Sequence, residues 1–197
     1  MHRTFSLVIA SLVLLASSPF TRAADHEVDP VHSFANFRIK HLNVGYVYGR
    51  FNGPTGKFTY DPAKPDASTF EVTLNVDAID TANEKRDAHL KSPDFFDAKQ
   101  FPAITFKSTS VKAKNASPQA SVEKALKVTG DLTIHGVTKS ITTNVSVIGS
   151  GKGMGDETRT GIEVAFQLNR SDYGMTNLIP AAGDEVLVVV ALEGIQK

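Results

Sequence analysis

Four histidines, His32, His41, His89 and His135, are the first candidates for chemistry, because imidazole both binds metals and titrates near neutral pH. No pair among them has the i, i+4 spacing of helical metal ligands or the His-x-His spacing of strand ligands, and the chain contains no cysteine. No metal site is therefore expected, and disulfides and thiolate chemistry are excluded. Ser33 stands beside His32, but neighbours on a strand point to opposite faces, so the two do not form a nucleophile and its base. Arg86-Asp87-x-His89 is denser: on a helix Arg86 and His89 share a face while Asp87 turns away. That pattern suits an ion-paired anchor, with acid–base chemistry through Asp87 and His89 as its rival. In Asn169-Arg170-Ser171-Asp172, strand parity puts Arg170 on the same side as Phe166 and Leu168. A cation facing apolar side chains needs a partner, and Asp172 or the polar head of a ligand would serve. No catalytic constellation emerges from these residues.

The elements that must position them are mostly strands. Ala35, Phe37, Ile39 and His41 alternate with Asn36, Arg38 and Lys40, and Phe70, Val72, Leu74 and Val76 alternate with Glu71, Thr73, Asn75 and Asp77. Such alternation puts one face of a strand on apolar material and the other in water. Residues 45–60 are strand-like too, but Gly49, Gly53-Pro54 and Gly56 imply a bend or bulge. Further runs start at Ile104 and Phe106, at Leu126, Val128, Leu132 and Ile134, at Ile141, Val145 and Val147, and at Ile162, Val164, Phe166 and Leu168. The last run, residues 185–192, is apolar on both faces and is expected to be covered on both. About eight strands joined by short turns predict an all-β, antiparallel, closed or nearly closed barrel.

Residues 81–101 are the exception. Thr81 with Glu84 reads as a capping box that opens a short helix over 83–91, and Ser92-Pro93 reads as a second helix start. Phe95, Phe96 and Phe101 make this crossing apolar enough to plug one end of a barrel, or simply to pack on its core. Residues 114–124 and 149–156 read as loops; alternating glycines in the latter lack the Gly-Lys-Ser/Thr ending of a phosphate loop.

The chain has 197 residues with 21 basic and 21 acidic side chains, so it lacks the basic footprint of a nucleic-acid binder. Its start, with Arg3, an apolar run over 5–16 and Thr21-Arg22-Ala23, reads as a cleavable export signal over residues 1–23. That run falls short of the ~20 residues a bilayer span requires, and no stable span is expected after cleavage. Residues 24–197 then form one domain, held by its own core.

Eight motifs in order resemble the YceI-like family. They are His32-Ser33, Phe37 with His41, Gly49-x-Phe51, Arg86-Asp87-x-His89-Leu90, Phe95-Phe96-Asp97, Phe101-Pro102-x-Ile104-x-Phe106, Gly130-x-Leu132-x-Ile134-x-Gly136-Val137-Thr138-Lys139 and Asn169-Arg170-Ser171-Asp172-Tyr173-Gly174-Met175. The resemblance implies an extended, lipocalin-like eight-stranded barrel in the bacterial periplasm, commonly dimeric. It also implies a long internal tunnel around the polyisoprenoid or fatty-acyl tail of an amphiphile, with no other cofactor.

On that reading the tunnel residues are Phe37, Ile39, Phe51, Phe70, Val72, Leu74, Phe106, Leu132, Ile134, Val145, Val164 and Phe166, while His41, His89, Arg170 and Asp172 meet the headgroup. The expected function is a carrier rather than an enzyme. Two rivals stay open: a structural or partner-binding barrel with a filled core, and an enzyme acting on a prenyl lipid.

Overall fold

Each strand carries an apolar face, and the sheet hides that face from water by closing on itself. The computed structural model describes residues 24–114 and 124–197, so the predicted signal over 1–23 and most of the predicted 114–124 loop lie outside the described residues. The strands are β1 (Ala24–Val28), β2 (Phe34–His41), β3 (Gly45–Phe51), β4 (Thr55–Tyr60), β5 (Thr69–Asn75) and β6 (Ile79–Asp80). After helix α1 (Glu84–Leu90) come β7 (Ala103–Lys114), β8 (Lys124–Ile134), β9 (Val137–Lys152), β10 (Thr158–Asn169) and β11 (Ala182–Gln196).

Three staves are interrupted. β1 and β2 both pair with β11, β3 and β4 continue each other, and so do β5 and β6. The eleven segments thus make a closed eight-stranded antiparallel barrel, each stave hydrogen-bonded to its sequence neighbours and the last to the first. Bridging the β1–β2 break, the Glu193 N–H donates to Ser33 Oγ at 3.0 Å and His32 Nδ1 lies 2.8 Å from Asp29 Oδ2. The Gly53-Pro54 bend falls between β3 and β4, where the sequence places it.

Two inward glycines make room for rings. A Cβ on Gly130 would lie 2.5 Å from the ring of Phe106, and one on Gly49 would lie 2.3 Å from the ring of Phe37. Both aromatics therefore lie flat across the neighbouring strand, as side chains of that size can do only over glycine.

The crossing departs from its sequence reading in two respects. The N-cap of α1 is Asn83, whose side chain accepts from the Arg86 N–H at 3.0 Å, not Thr81. Thr81 is instead clasped by the helix: Arg86 Nε donates to Thr81 Oγ1 at 2.7 Å, and the Thr81 N–H donates to Asp87 Oδ1 at 3.0 Å. Arg86 and Asp87 thus anchor the helix start to the strand that precedes it. No second helix forms at Ser92-Pro93, because Ser92 Oγ donates back to the carbonyl of His89 and left-handed Asp97 turns the chain after a series of tight turns.

Two further expectations need correction. β9 and β10 remain paired through Gly149 with Gly161, Ser150 with Thr160 and Lys152 with Thr158, so the predicted 149–156 loop shrinks to the turn after Lys152; backbone ladders need no side chains. The outer face of β11 is not covered by another layer among the described residues. Leu187 and Val189 are half-buried there by side neighbours on the same sheet, opposite Arg38 and Asn36 of β2.

Candidate functional site

The core is unevenly filled. Near the end where β1, β4, β8 and β9 meet, Phe58, Leu126, Val128 and Val147 are at most 1 % exposed and close the barrel. Toward the other end, inward side chains such as Phe37, Val72, Phe106, Val164, Phe166 and Val188 are only half-buried. They are exposed from within, because they line an internal cavity of about 520 Å³, within the usual range for a small-molecule site.

Strand parity brings the predicted inward residues together on this cavity. Phe37, Ile39, Phe51, Phe70, Val72 and Leu74 line it from β2, β3 and β5. Phe106, Leu132, Ile134, Val145, Val164 and Phe166 line it from β7 to β10. Sequence reasoning missed Val186, Val188, Val190 and Leu192 of β11, which also line it, because that strand is apolar on both faces and parity has no contrast to read. Register supplies the missing signal, since Phe166 pairs with Val188 and Ile39 with Val186. Leu90, Phe95 and Phe96 of the crossing line the cavity as well, closing part of the end they span.

The polar residues gather at that end. His41 and His89 are exposed and border the cavity, and His89 Nε2 lies 2.9 Å from Asp94 Oδ2. Arg170 is 4 % exposed and faces the cavity too, with its guanidinium 5.7 Å from the centre of the Phe95 ring. Its N–H groups donate to the carbonyls of Gly183, Met175, Asn177 and Ala182 at 2.7–2.9 Å. Burial lowers its pKa, and the nearby Asp184 carboxylate opposes that shift.

Asp172 is not its partner and does not reach the cavity. It sits exposed, 3.2 Å from Lys139 Nζ, because residues 170–173 form a 3-10 turn that ends strand parity after Asn169. The carboxylate beside Arg170 is Asp184, held below its usual range by the hydroxyl and N–H of Ser171.

Among the described residues, the charged side chains on the cavity lining are cationic: Lys40, Lys85, Arg86 and Arg170, with no aspartate or glutamate among them. A second polar cluster lies elsewhere, where Asp29, His32 and Glu193 offer ligand atoms within 4.8 Å of one another. Arg159 Nη1 already bonds both carboxylates there, at 2.9 Å to Asp29 and closely to Glu193, so the guanidinium supplies the positive charge. Asp29 is held far below the usual carboxylate range, first by the side chain of His32 and then by the Val31 N–H.

This architecture has relatives. Residues 26–194 match the YceI-like domain. The chain belongs to the YceI-like family. It is 37% identical over 193 residues to Protein YceI of Escherichia coli O17:K52:H18, covering 97% of this chain and 96% of that one. It is 38% identical over 189 residues to a UPF0312 protein of Pseudomonas aeruginosa, covering 93% and 95%.

Among solved structures, Burkholderia cenocepacia BcnA superimposes with a TM-score of 0.71 at 25% identity, covering 84% of this chain and 98% of that one. A polyisoprenoid binding domain from Saccharophagus degradans shares the fold at TM-score 0.65 and 15% identity, covering 89% and 100%. No helix among the described residues of this family member is long and apolar enough to cross a membrane.

Proposed function

We propose that the protein is a binding protein that takes the hydrocarbon tail of an amphiphilic lipid, of the polyisoprenoid or fatty-acyl class, into its barrel. One observation carries this reading: a cavity of about 520 Å³, walled by aliphatic and aromatic side chains, whose lining among the described residues carries charge only as the cations Lys40, Lys85, Arg86 and Arg170. At ~0.8 kcal/mol per buried methylene, each five-carbon isoprene unit contributes about 3–4 kcal/mol before ordering costs. A few units give tight binding with little help from the head. The cationic end suits a polar or anionic headgroup such as a phosphate or carboxylate. The polyisoprenoid binding of the Saccharophagus degradans domain supports the same class of guest.

The reading is of a carrier and not a catalyst. Polar groups at the opening already have structural tasks: Arg170 ties four carbonyls, Arg86 clasps Thr81 and His89 pairs with Asp94. Export to the periplasm after loss of residues 1–23, and assembly as a homodimer, belong to the same proposal; periplasmic fractionation and light scattering test them. The decisive experiment is native mass spectrometry of gently purified protein, followed by organic extraction. A stoichiometric, unmodified lipid is expected; protein that carries no guest and takes none from added prenyl lipid or fatty acid overturns the reading.

A further inference from the structure

The end of the barrel that opens to the cavity also carries apolar side chains in water. In the β2–β3 turn Leu42 is 56% and Val44 86% exposed, and in the segment before β11 Leu178 is 52% and Ile179 40% exposed. The two segments are one surface: the Leu42 N–H donates to the carbonyl of Ala181 at 2.7 Å, and Ala182 pairs with His41. That surface is continuous with the cavity, since Leu178 belongs to both and His41 and Ala182 line the interior beside it. The cavity lining that this surface adjoins carries Lys40, Lys85 and Arg86 and, among the described residues, no carboxylate.

Leu42 and Leu178 hold φ of 51° and 58°, a left-handed conformation that suits asparagine and costs leucine about 1–2 kcal/mol. Folding alone would favour a polar residue at both positions. Leu178 is accounted for by its place on the cavity lining, but Leu42 lies off that lining and has no apolar partner role there.

We propose that this rim docks on an anionic lipid bilayer, with Leu42, Val44, Leu178 and Ile179 entering the interface and Lys40 and Lys85 meeting its phosphates, so that a tail passes between bilayer and cavity without crossing water. The inference rests on the lipid-binding reading above. Interfacial binding of this type combines buried apolar area with attraction to anionic lipid. The exposed apolar tips supply the first, and Lys40 and Lys85 on the adjoining lining supply the second.

The test is co-sedimentation of the purified protein with vesicles of phosphatidylcholine alone and of phosphatidylcholine with phosphatidylglycerol. Leu42→Asn and Val44→Asp, singly and together, lie off the cavity lining, and asparagine suits the backbone at position 42. The wild-type protein is expected to sediment with the anionic vesicles, less so at high salt, and each substitution to weaken partitioning about tenfold. A fluorescent fatty acid titrated into the same variants reads the cavity separately and is expected to bind as in the wild type. Wild-type protein that ignores both vesicles while taking up the fatty acid overturns docking and leaves the cavity reading standing. So does vesicle binding that the double variant retains, or a rim that captures a protein partner in place of lipid.

Discussion

Phe166→Asp places a carboxylate on the cavity wall, where Phe166 is half-buried and paired across the ladder with Val188. Its effect on the empty barrel is limited, because the new side chain faces a cavity and not a packed core; the thermal midpoint is expected to fall by only a few degrees. Its effect on a guest is larger. A tail packed at this position loses a phenyl contact of about 1.5–3 kcal/mol and must also strip water from a carboxylate with no partner, at about 1–3 kcal/mol. Together these weaken binding by about 2.5–6 kcal/mol, on the order of 10²–10⁴-fold. Protein stripped of lipid, titrated with a dansyl-labelled fatty acid, reads the loss, and circular dichroism reports the fold. Phe166→Leu, which keeps the wall apolar, should retain most of the affinity. A folded Phe166→Asp protein that binds the probe as tightly as the wild type would refute the assignment of this cavity as the tail site.

Arg170→Met leaves the carbonyls of Gly183, Met175, Asn177 and Ala182 without their donor and is expected to cost about 3–5 kcal/mol in urea denaturation. Arg170→Lys should recover little of that, since one ammonium cannot span the four acceptors. Gly130→Ala drives a methyl group into both the Lys107 carbonyl and the Phe106 ring and should destabilise the barrel by about 1–3 kcal/mol; a Gly130→Ala, Phe106→Leu double variant relieves only the ring contact and should recover only part of the loss. His26 is buried against the Phe58 ring, with Nδ1 donating to the Ala24 carbonyl and Nε2 accepting from Thr160 Oγ1; burial lowers its pKa. The unfolded chain then binds a proton more readily than the folded one, so this contribution to stability is present above the unfolded value of about 6.5 and is lost as pH falls through the folded one. Denaturation midpoints should decline between neutral and mildly acidic pH, less steeply in His26→Gln; equal slopes would contradict it.

The extent to which the sequence is legible differs from element to element. In β2, β5, β8 and β10 the alternation of Phe37 and Ile39, Phe70 to Leu74, Leu132 and Ile134, and Val164 and Phe166 states which side chains face inward, because side-chain direction in a strand repeats every two residues and is a local property. The same locality fails wherever the strand does. Asp172 leaves the inner face because a 3-10 turn replaces the strand after Asn169, and Thr81 yields the helix cap to Asn83 because it is held by Arg86 and Asp87 across the turn. In β11 both faces are apolar, and only pairing with β10 and β2 settles which residues turn inward.

Period-two alternation in about eight segments joined by short turns was thus enough, by itself, to point to a closed or nearly closed antiparallel barrel and to most of its inner wall. Whether that wall encloses a solid core or a space is a question of summed volumes across eight staves, which no single strand carries. The tertiary structure alone decided it: Phe58, Leu126, Val128 and Val147 meet at one end and fill it, while the inward chains of the other half stop short of one another. It likewise decided the partners of Arg170, four carbonyls gathered by a chain reversal, because backbone groups have no signature in sequence until the fold brings them together.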